Sequence, residues 1–282
     1  MDKPPGITSA RAVSLVKRLL PGRTKVGHTG TLDPLASGLL VILLGRATRL
    51  SRYVTGLDKE YVATARFGAS SSTLDADGEI REHAGPVPDE EELRRALPRF
   101  TGELSQLPPM ASAVKVGGRR LYELHRSGVK VERKPRRVRV YSLKLLSFDP
   151  AAATATFSVS CSSGTYVRSL IADLAASLGT AAYLTALRRT RVGHLRVEDA
   201  IPPERRDPST LLNRIIPPAE VLSHLPALEV DEEQARAVAS GRPLRVAPGL
   251  EGSFRVQRGG ELLGVYGTRG GLARPEVVLC GG

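Results

Sequence analysis

The chain has 282 residues, 41% of them apolar, and a net charge of +12, enough for one large domain or two. Its longest apolar run, LLVILL, is too short for a membrane-spanning helix, and no secretory segment follows the opening MDKPPGITS. Two cysteines, Cys161 and Cys280, make no disulfide framework and fit a reducing compartment, so a soluble cytoplasmic protein is expected.

In chain order, TSARAVSLVKRLL (8–20) predicts a helix capped by Thr8 and stopped by Pro21, with Ala12, Val13, Val16, Leu19 and Leu20 as its apolar stripe. GHTGTLDP (27–34) reads as neither helix nor strand. Its glycines weaken a helix, Pro34 removes a donor, and the residue before a proline is driven to extended backbone. Asp33 is therefore either a turn former or a reactive carboxylate held at a fixed angle. LLVILLG (39–45) reads as one buried strand, and EYVATARFG (60–68) alternates like a half-buried one. DEEELRRALPRF is a short helix with acids in its first turn.

SAVKV is a strand, GG a turn, and RRLYELHRSG a basic helix ending at Gly128; strands follow at 138–148 and 154–161. GTYVRSLIADLAASLG (164–179) is a helix between two glycines, and TALRRTRVGHL returns as a strand. Residues 202–218, rich in Pro and Arg, read as a connection. From about 226 a short helix and Gly-rich strand pairs suggest a small β-rich second domain. Strands outnumber helices without regular βαβ alternation, which predicts an α+β fold with a mostly antiparallel sheet.

The positive charge is unevenly placed. Residues 224–282 hold seven Arg and seven Asp/Glu, whereas residues 115–144 hold eleven Lys/Arg and two Glu. Such a block is an electrostatic footprint for a polyanion, or a solvated surface. Residues 75–92 reverse it, with eight acids and one Arg.

Familiar ligand motifs fail on inspection. GRTKVGHT (22–29) nearly matches a phosphate loop but has His28 in the lysine position, and Gly30 and Pro34 bar the helix that should follow. DADG (75–78) echoes a calcium loop without its later ligands and reads as an acidic turn. His and Cys residues show no metal spacing, and no glycine-rich fingerprint follows a strand, so no metal or cofactor is expected. Asp33, His28, Tyr61 and Arg168 remain as site candidates. Each has a structural alternative: a turn cap, a loop residue, a core tyrosine, a surface helix residue.

Five segments in order resolve the choice: DKPPGITS, GHTGTLDPLASGLLVILLG, KEYVA, PPMASAVKVGGRRLYELHRSG and GTYVRSL. Over residues 2 to about 200 the chain resembles the TruB family of pseudouridine synthases. The C-terminal part is more weakly similar to the PUA-like domain of that family. The resemblance implies a pseudouridine synthase fold, with a catalytic domain at 1–222 carrying a basic RNA-clamping insertion at about 110–137, and a PUA-like RNA-binding domain at 223–282. It implies isomerisation of uridine 55 in the T loop of tRNA: base flipping, N1–C1′ cleavage and C5–C1′ rejoining, without cofactor.

Carried onto this chain, the resemblance makes Asp33 the essential carboxylate, attacking base or sugar or abstracting a sugar proton. Arg168 becomes its ion-pair partner, lowering its pKa, and Tyr61 stacks on the flipped uracil near C5. His28 enters the gap left by the nucleotide, Leu187 lines the pocket, and Lys3 and Pro4 brace the loop. Lys115, Arg119, Arg120, Arg126, Lys130, Arg136 and Arg137 are the expected contacts to the RNA backbone. The implied partner is tRNA, through its T loop and stem, with no membrane, no obligate protein partner and a monomeric state. Two other readings share the same surface: a tRNA-folding protein without chemistry, and a synthase acting with partner proteins on other RNAs. Ala111 departs from the family pattern, where an aromatic commonly follows PPM.

Overall fold

The structure, a computed structural model, describes all residues except 113, 128, 130, 203–206, 247–248, 270 and 281–282, and omits the side chains of 115, 116, 120, 125, 126 and 269. Two compact units emerge. The first comprises Met1–Ala12, Gly30–Val41 and Gly56–Glu204; the second comprises Val13–Thr29, Ile42–Thr55 and Arg205–Gly282.

The first unit is built on a sheet with eight strands among the described residues. They are β1 (Asp2–Lys3), β2 (Ser37–Leu39), β3 (Lys59–Phe67), β4 (Gly102–Gln106), β5 (Arg136–Asp149), β6 (Thr154–Cys161), β7 (Ala182–Val192) and β8 (Leu195–Arg196). The order is β1-β2-β7-β3-β6-β5-β4, with β8 paired to β7. All pairings are antiparallel except β2 with β7. The fold is therefore α+β with a mostly antiparallel central sheet.

Strict alternation makes β3 half-buried: Lys59, Tyr61, Ala63, Ala65 and Phe67 are buried, and the residues between them are not. The pairing sets Tyr61 opposite Val159 on β6 and Arg189 on β7. Gly38 has no room for a side chain, because a Cβ there would lie 2.3 Å from the Arg189 carbonyl oxygen. That contact lets β2 run close along β7.

Three helices frame this sheet or lead from it: α1 (Ser9–Lys17), α2 (Glu90–Ala96) and α3 (Val167–Ser177). The Thr8 hydroxyl accepts the Arg11 amide and opens α1, which stops at Lys17, short of the predicted Leu20. Asp89 and Glu92 form a reciprocal capping box on α2. On α3 the buried stripe Val167, Leu170, Ile171, Leu174, Ala175 packs toward β7 and β3. The start of α3 lacks a side-chain cap of its own. Gln106 substitutes: its Nε2 donates to the Tyr166 carbonyl at 2.9 Å, and its Oε1 accepts the Tyr166 amide at 2.7 Å.

Three local expectations are corrected. LLVILLG is not one strand. Leu39 ends β2, Leu40 gives its amide to the Met1 carbonyl, and Val41–Leu44 leaves to pair with Val26–Thr29. For the same reason the front of GHTGTLDP is a strand: an apolar partner strand outweighs the poor propensity of Gly27. Residues 202–218 include the helix Pro208–Asn213, capped by Asp207, and the start of a second, Pro218–Val221.

The C-terminal part of the second unit is a five-stranded sheet ordered Ala227–Glu229, Gly252–Arg258, Glu261–Arg269, Leu272–Val278, Leu244–Arg245. It curls around Val238, Leu244, Phe254, Val256, Leu263, Tyr266 and Ala273, with the helix Glu232–Ala239 contributing Val238. This is a small β-rich PUA-like domain. In the same unit Gly45–Leu50 forms a 3-10 helix continuing into Ser51–Thr55. Arg46 donates to the Leu279 carbonyl at 2.8 Å, Arg49 donates to the Val278 carbonyl, and Arg52 pairs with Glu276 at 2.7 Å. Among the described residues no helix is long and apolar enough to cross a membrane.

Candidate active site

Asp33 stands on the loop between Gly30 and β2, and that loop is held from below by the first residues of the chain. Lys3 is fully buried, and its ammonium donates to the carbonyls of Pro4 at 2.9 Å, Ile7 at 2.8 Å and Pro34 at 3.4 Å. The Gly6 amide also donates to Pro34 O at 2.8 Å. The Ser9 hydroxyl both donates to the Leu32 carbonyl and accepts its amide. The carbonyl groups on either side of Asp33 are thus fixed, and the Ala36 amide closes a turn on Asp33 O at 3.1 Å.

Arg168, in the first turn of α3, reaches this carboxylate. Its Nη2 lies 3.0 Å from Asp33 Oδ2 and donates to the Ala111 carbonyl at 2.8 Å. Its Nη1 donates to the Thr73 carbonyl at 2.6 Å and lies 3.4 Å from Asp75 Oδ2. One guanidinium thus serves two carboxylates and two backbone carbonyls, which its planar fork can do and a lysine cannot. Exposure separates the two acids. The side chains of Arg168 and Asp75 are 4% and 5% exposed, whereas that of Asp33 is 33% exposed. Among the described residues Asp33 makes no other side-chain hydrogen bond or ion pair, which leaves Oδ1 available to a substrate.

Burial lifts the Asp33 pKa above its ordinary 3.8; Arg168 opposes the shift and Asp75 adds to it. Arg168 thus acts in the expected direction, but loss of hydration outweighs it and the net shift is upward. DADG is a turn, as expected, but its first acid is not at the surface. Asp75 is a buried partner of Arg168, and its backbone bridges to Leu184 on β7.

Tyr61 is buried on β3, and burial pushes its phenol above 10, with Arg189 opposing. Leu187 on β7 is 8% exposed and pairs in register with Ala63. Arg189, two residues on, is 1% exposed; Nε donates to Leu39 O at 2.8 Å and Nη2 to Gly30 O at 2.9 Å. It therefore ties both ends of the Asp33 loop to the sheet. Desolvation brings the pKa of Lys3, and that of Lys59 beside Arg189, down to about 8.

The structure thus gathers Asp33, Arg168, Lys3 and Pro4 at one loop, with Tyr61 and Leu187 on the adjoining strands. His28 lies in the second unit, on the strand Val26–Thr29. In the basic insertion the strands Lys115–Val116 and Arg119–Arg120 pair about Gly117–Gly118 and lead into the helix Leu121–Arg126. Arg119, Arg136 and Arg137 are exposed. Arg133 donates to Pro108 O at 2.8 Å, tying the end of the insertion to its beginning. Lys130 and the side chains of Lys115, Arg120 and Arg126 lie outside the described residues.

Residue-by-residue reading of the sequence missed Asp75 and Arg189. Arg189 had a signal: strand alternation puts it on the same face as Leu187, inside the sheet. Asp75 had none, since only the fold brings its turn against α3.

Comparison with known proteins places this arrangement. Residues 17–167 match the family described as TruB family pseudouridylate synthase (N terminal domain). The chain is 41% identical to tRNA pseudouridine synthase B of Azoarcus sp. (strain BH72), over 99% of this chain and 93% of that protein. It is 39% identical to the protein of the same name from Aquifex aeolicus (strain VF5), over 99% and 98%. Among solved structures, a chain of a Cbf5-Nop10-Gar1 complex superposes with a TM-score of 0.76 at 27% identity, covering 98% of this chain and 83% of that one.

Proposed function

The chain belongs to the TruB family of pseudouridylate synthases and is a tRNA pseudouridine synthase, an enzyme that isomerises uridine in tRNA; from that premise we propose that its target is the T-loop uridine at tRNA position 55 and that Asp33 is the catalytic carboxylate. The observation that carries the assignment is the contrast between Asp33 and Asp75. Both lie on Arg168, but only Asp33 is open enough to meet a nucleotide.

The isomerisation breaks N1–C1′, turns the base and joins C5 to C1′, releasing the C5 proton. It needs a carboxylate at a fixed angle. Asp33 is held by Arg168 through Oδ2 and by a loop clamped at both ends, which limits the reorganisation left for the reaction. Tyr61, its pKa raised by burial, stays a neutral phenol at physiological pH. That favours stacking on the extruded uracil over acting as a base. Leu187, on the same sheet face as Tyr61, lines the base site, and His28 fills the gap in the loop that extrusion leaves. Lys3 and Pro4 fix the loop from behind.

Residues 1–222 supply catalysis and 223–282 bind RNA as the PUA-like domain. The insertion grips the T stem and loop through phosphates, using the seven basic residues named for it, Arg119, Arg136 and Arg137 among them. A monomer in the cytoplasm, acting without cofactor or obligate protein partner and able to assist tRNA folding, completes the proposal.

The test is pseudouridine mapping of one unmodified tRNA transcript after incubation with the protein alone. Product at the T-loop uridine is expected, with none from Asp33→Asn although the variant still binds the RNA. Product elsewhere would overturn the assigned position, and an active Asp33→Asn would overturn the assigned carboxylate. Tight binding with no product would leave a tRNA-folding protein instead.

A further inference from the structure

The turn at 71–78 is built more tightly than a surface connection requires. Leu74 adopts φ +65°, an unusual conformation for a branched side chain. It is pinned there, its amide on Ser71 O at 3.1 Å and its carbonyl accepting from Leu184 N at 3.1 Å. Gly78 closes the turn so closely that a Cβ would lie 2.4 Å from Thr73 Oγ1 and 2.5 Å from Ser71 Oγ. Only glycine fits.

At the centre of the turn, Thr73 touches both partners of the Asp33 network. Its carbonyl oxygen accepts from Arg168 Nη1 at 2.6 Å. Its hydroxyl donates to Asp75 Oδ1, which also accepts the Asp77 amide at 3.2 Å. With Oδ1 so occupied, Asp75 presents Oδ2 to Arg168. The plane of the guanidinium is therefore set from Thr73 on one side and Ala111 O on the other, and Asp33 Oδ2 follows it.

We propose that Thr73 is a positioning residue for the reaction, its carbonyl and hydroxyl oxygens fixing Arg168 and Asp75 and, through them, the angle of the Asp33 carboxylate. The proposal rests on the assignment of Asp33 as the catalytic carboxylate. The role runs through Arg168 and Asp75, so loss of the hydroxyl should change the chemical step and leave RNA affinity alone.

The experiment compares Thr73→Val, Thr73→Ser and Ser71→Ala with the parent, in single-turnover pseudouridine formation, RNA binding, thermal unfolding and the 15N-edited NMR signals of the Arg168 guanidinium. Thr73→Val should slow the reaction at least tenfold with RNA affinity within twofold, and Thr73→Ser should restore the rate to within threefold. Ser71→Ala removes a hydroxyl of the same turn that accepts the Thr73 amide at 3.4 Å, lies 3.3 Å from Thr73 Oγ1 and donates to the backbone oxygen of Asp75, but does not touch the Asp75 carboxylate or Arg168. It should keep the rate within threefold whatever it does to the melting temperature. In the parent and in Thr73→Ser the Nη protons of Arg168 should give separate, slowly exchanging signals that merge in Thr73→Val.

A full rate in Thr73→Val, or equal slowing by Ser71→Ala, would overturn the proposal. If Thr73→Val does not fold, Thr73→Ala takes its place with the same expectations. A parent inert on tRNA would overturn the functional assignment instead, and the Arg168 signals would then decide on Thr73 by themselves: unmerged signals in the variant would refute it.

Discussion

Arg168 Nη2 stands 3.0 Å from Asp33 Oδ2. This contact joins the first turn of a buried helix to a side chain of the loop that faces the site, so the direction of the carboxylate depends on a planar cation. Arg168→Lys keeps the charge and loses the fork. It should lower the single-turnover rate at least 100-fold, about 3 kcal/mol of barrier, with tRNA affinity within a few fold in a filter-binding assay. An unchanged rate would show that charge alone suffices.

The raised pKa of Asp33 has two consequences of defined sign. The acid limb of the rate profile should lie above pH 3.8, the ordinary value, because the carboxylate must be ionised to act. The folded chain also holds this proton more tightly than the unfolded chain. Ionising Asp33 therefore costs stability as pH rises from 3.8 through the folded-state value. Asp33→Asn removes that cost. The melting temperature of Asp33→Asn relative to the parent should rise between pH 4 and pH 7; a constant difference would refute the shift.

For Lys3 the sign is opposite, because burial lowers the pKa of a base. Its pKa falls from 10.5 to about 8, so the ionised form costs stability in full below pH 8, and the cost fades between 8 and 10.5. An ammonium has three donors for the carbonyls of Pro4, Ile7 and Pro34; a neutral amine has two. The rate should therefore decline through an ionisation near pH 8. Lys59 is depressed to the same value, so variants make the assignment: Lys3→Met should lack the alkaline limb and Lys59→Met should keep it.

Arg189 is buried with both ends of its guanidinium on backbone carbonyls. Arg189→Met leaves Gly30 O and Leu39 O without donors, at about 1–3 kcal/mol for each buried unsatisfied group. Chemical denaturation should read a loss of about 2–6 kcal/mol. The rate should fall with it, because the Asp33 loop is released at both ends. A variant as stable as the parent would mean that water replaces the guanidinium.

Changing Arg119, Arg136 and Arg137 together to Gln should reduce the slope of log affinity against log salt by about 2–3, if each meets one phosphate. An unchanged slope would place the RNA elsewhere.

Much of this was legible in the sequence. The half-buried alternation of β3 puts Tyr61 on the inner face, and the apolar spacing of α3 follows from residues 167–175. Pro34 after Asp33 marks a stiff loop. The split of LLVILLG was hidden, because an apolar run fits one strand or two and only long-range pairing decides. Asp75 was hidden for a similar reason: burial of an acid in a polar turn depends on Arg168, 93 positions away in the sequence. The net direction of the Asp33 shift was also beyond reach, since it balances desolvation against a cation shared with a second acid.

Arg46, Arg49 and Arg52 recur every third residue along a tight helical stretch and point their guanidinium groups at the end of the last strand. A truncation at residue 223 would therefore not yield a clean catalytic fragment. It would remove the contacts that Leu279, Val278 and Glu276 make to these three cations and uncover a basic ridge, whose indiscriminate affinity for nucleic acid would mimic, in a binding assay, a selective grip on tRNA.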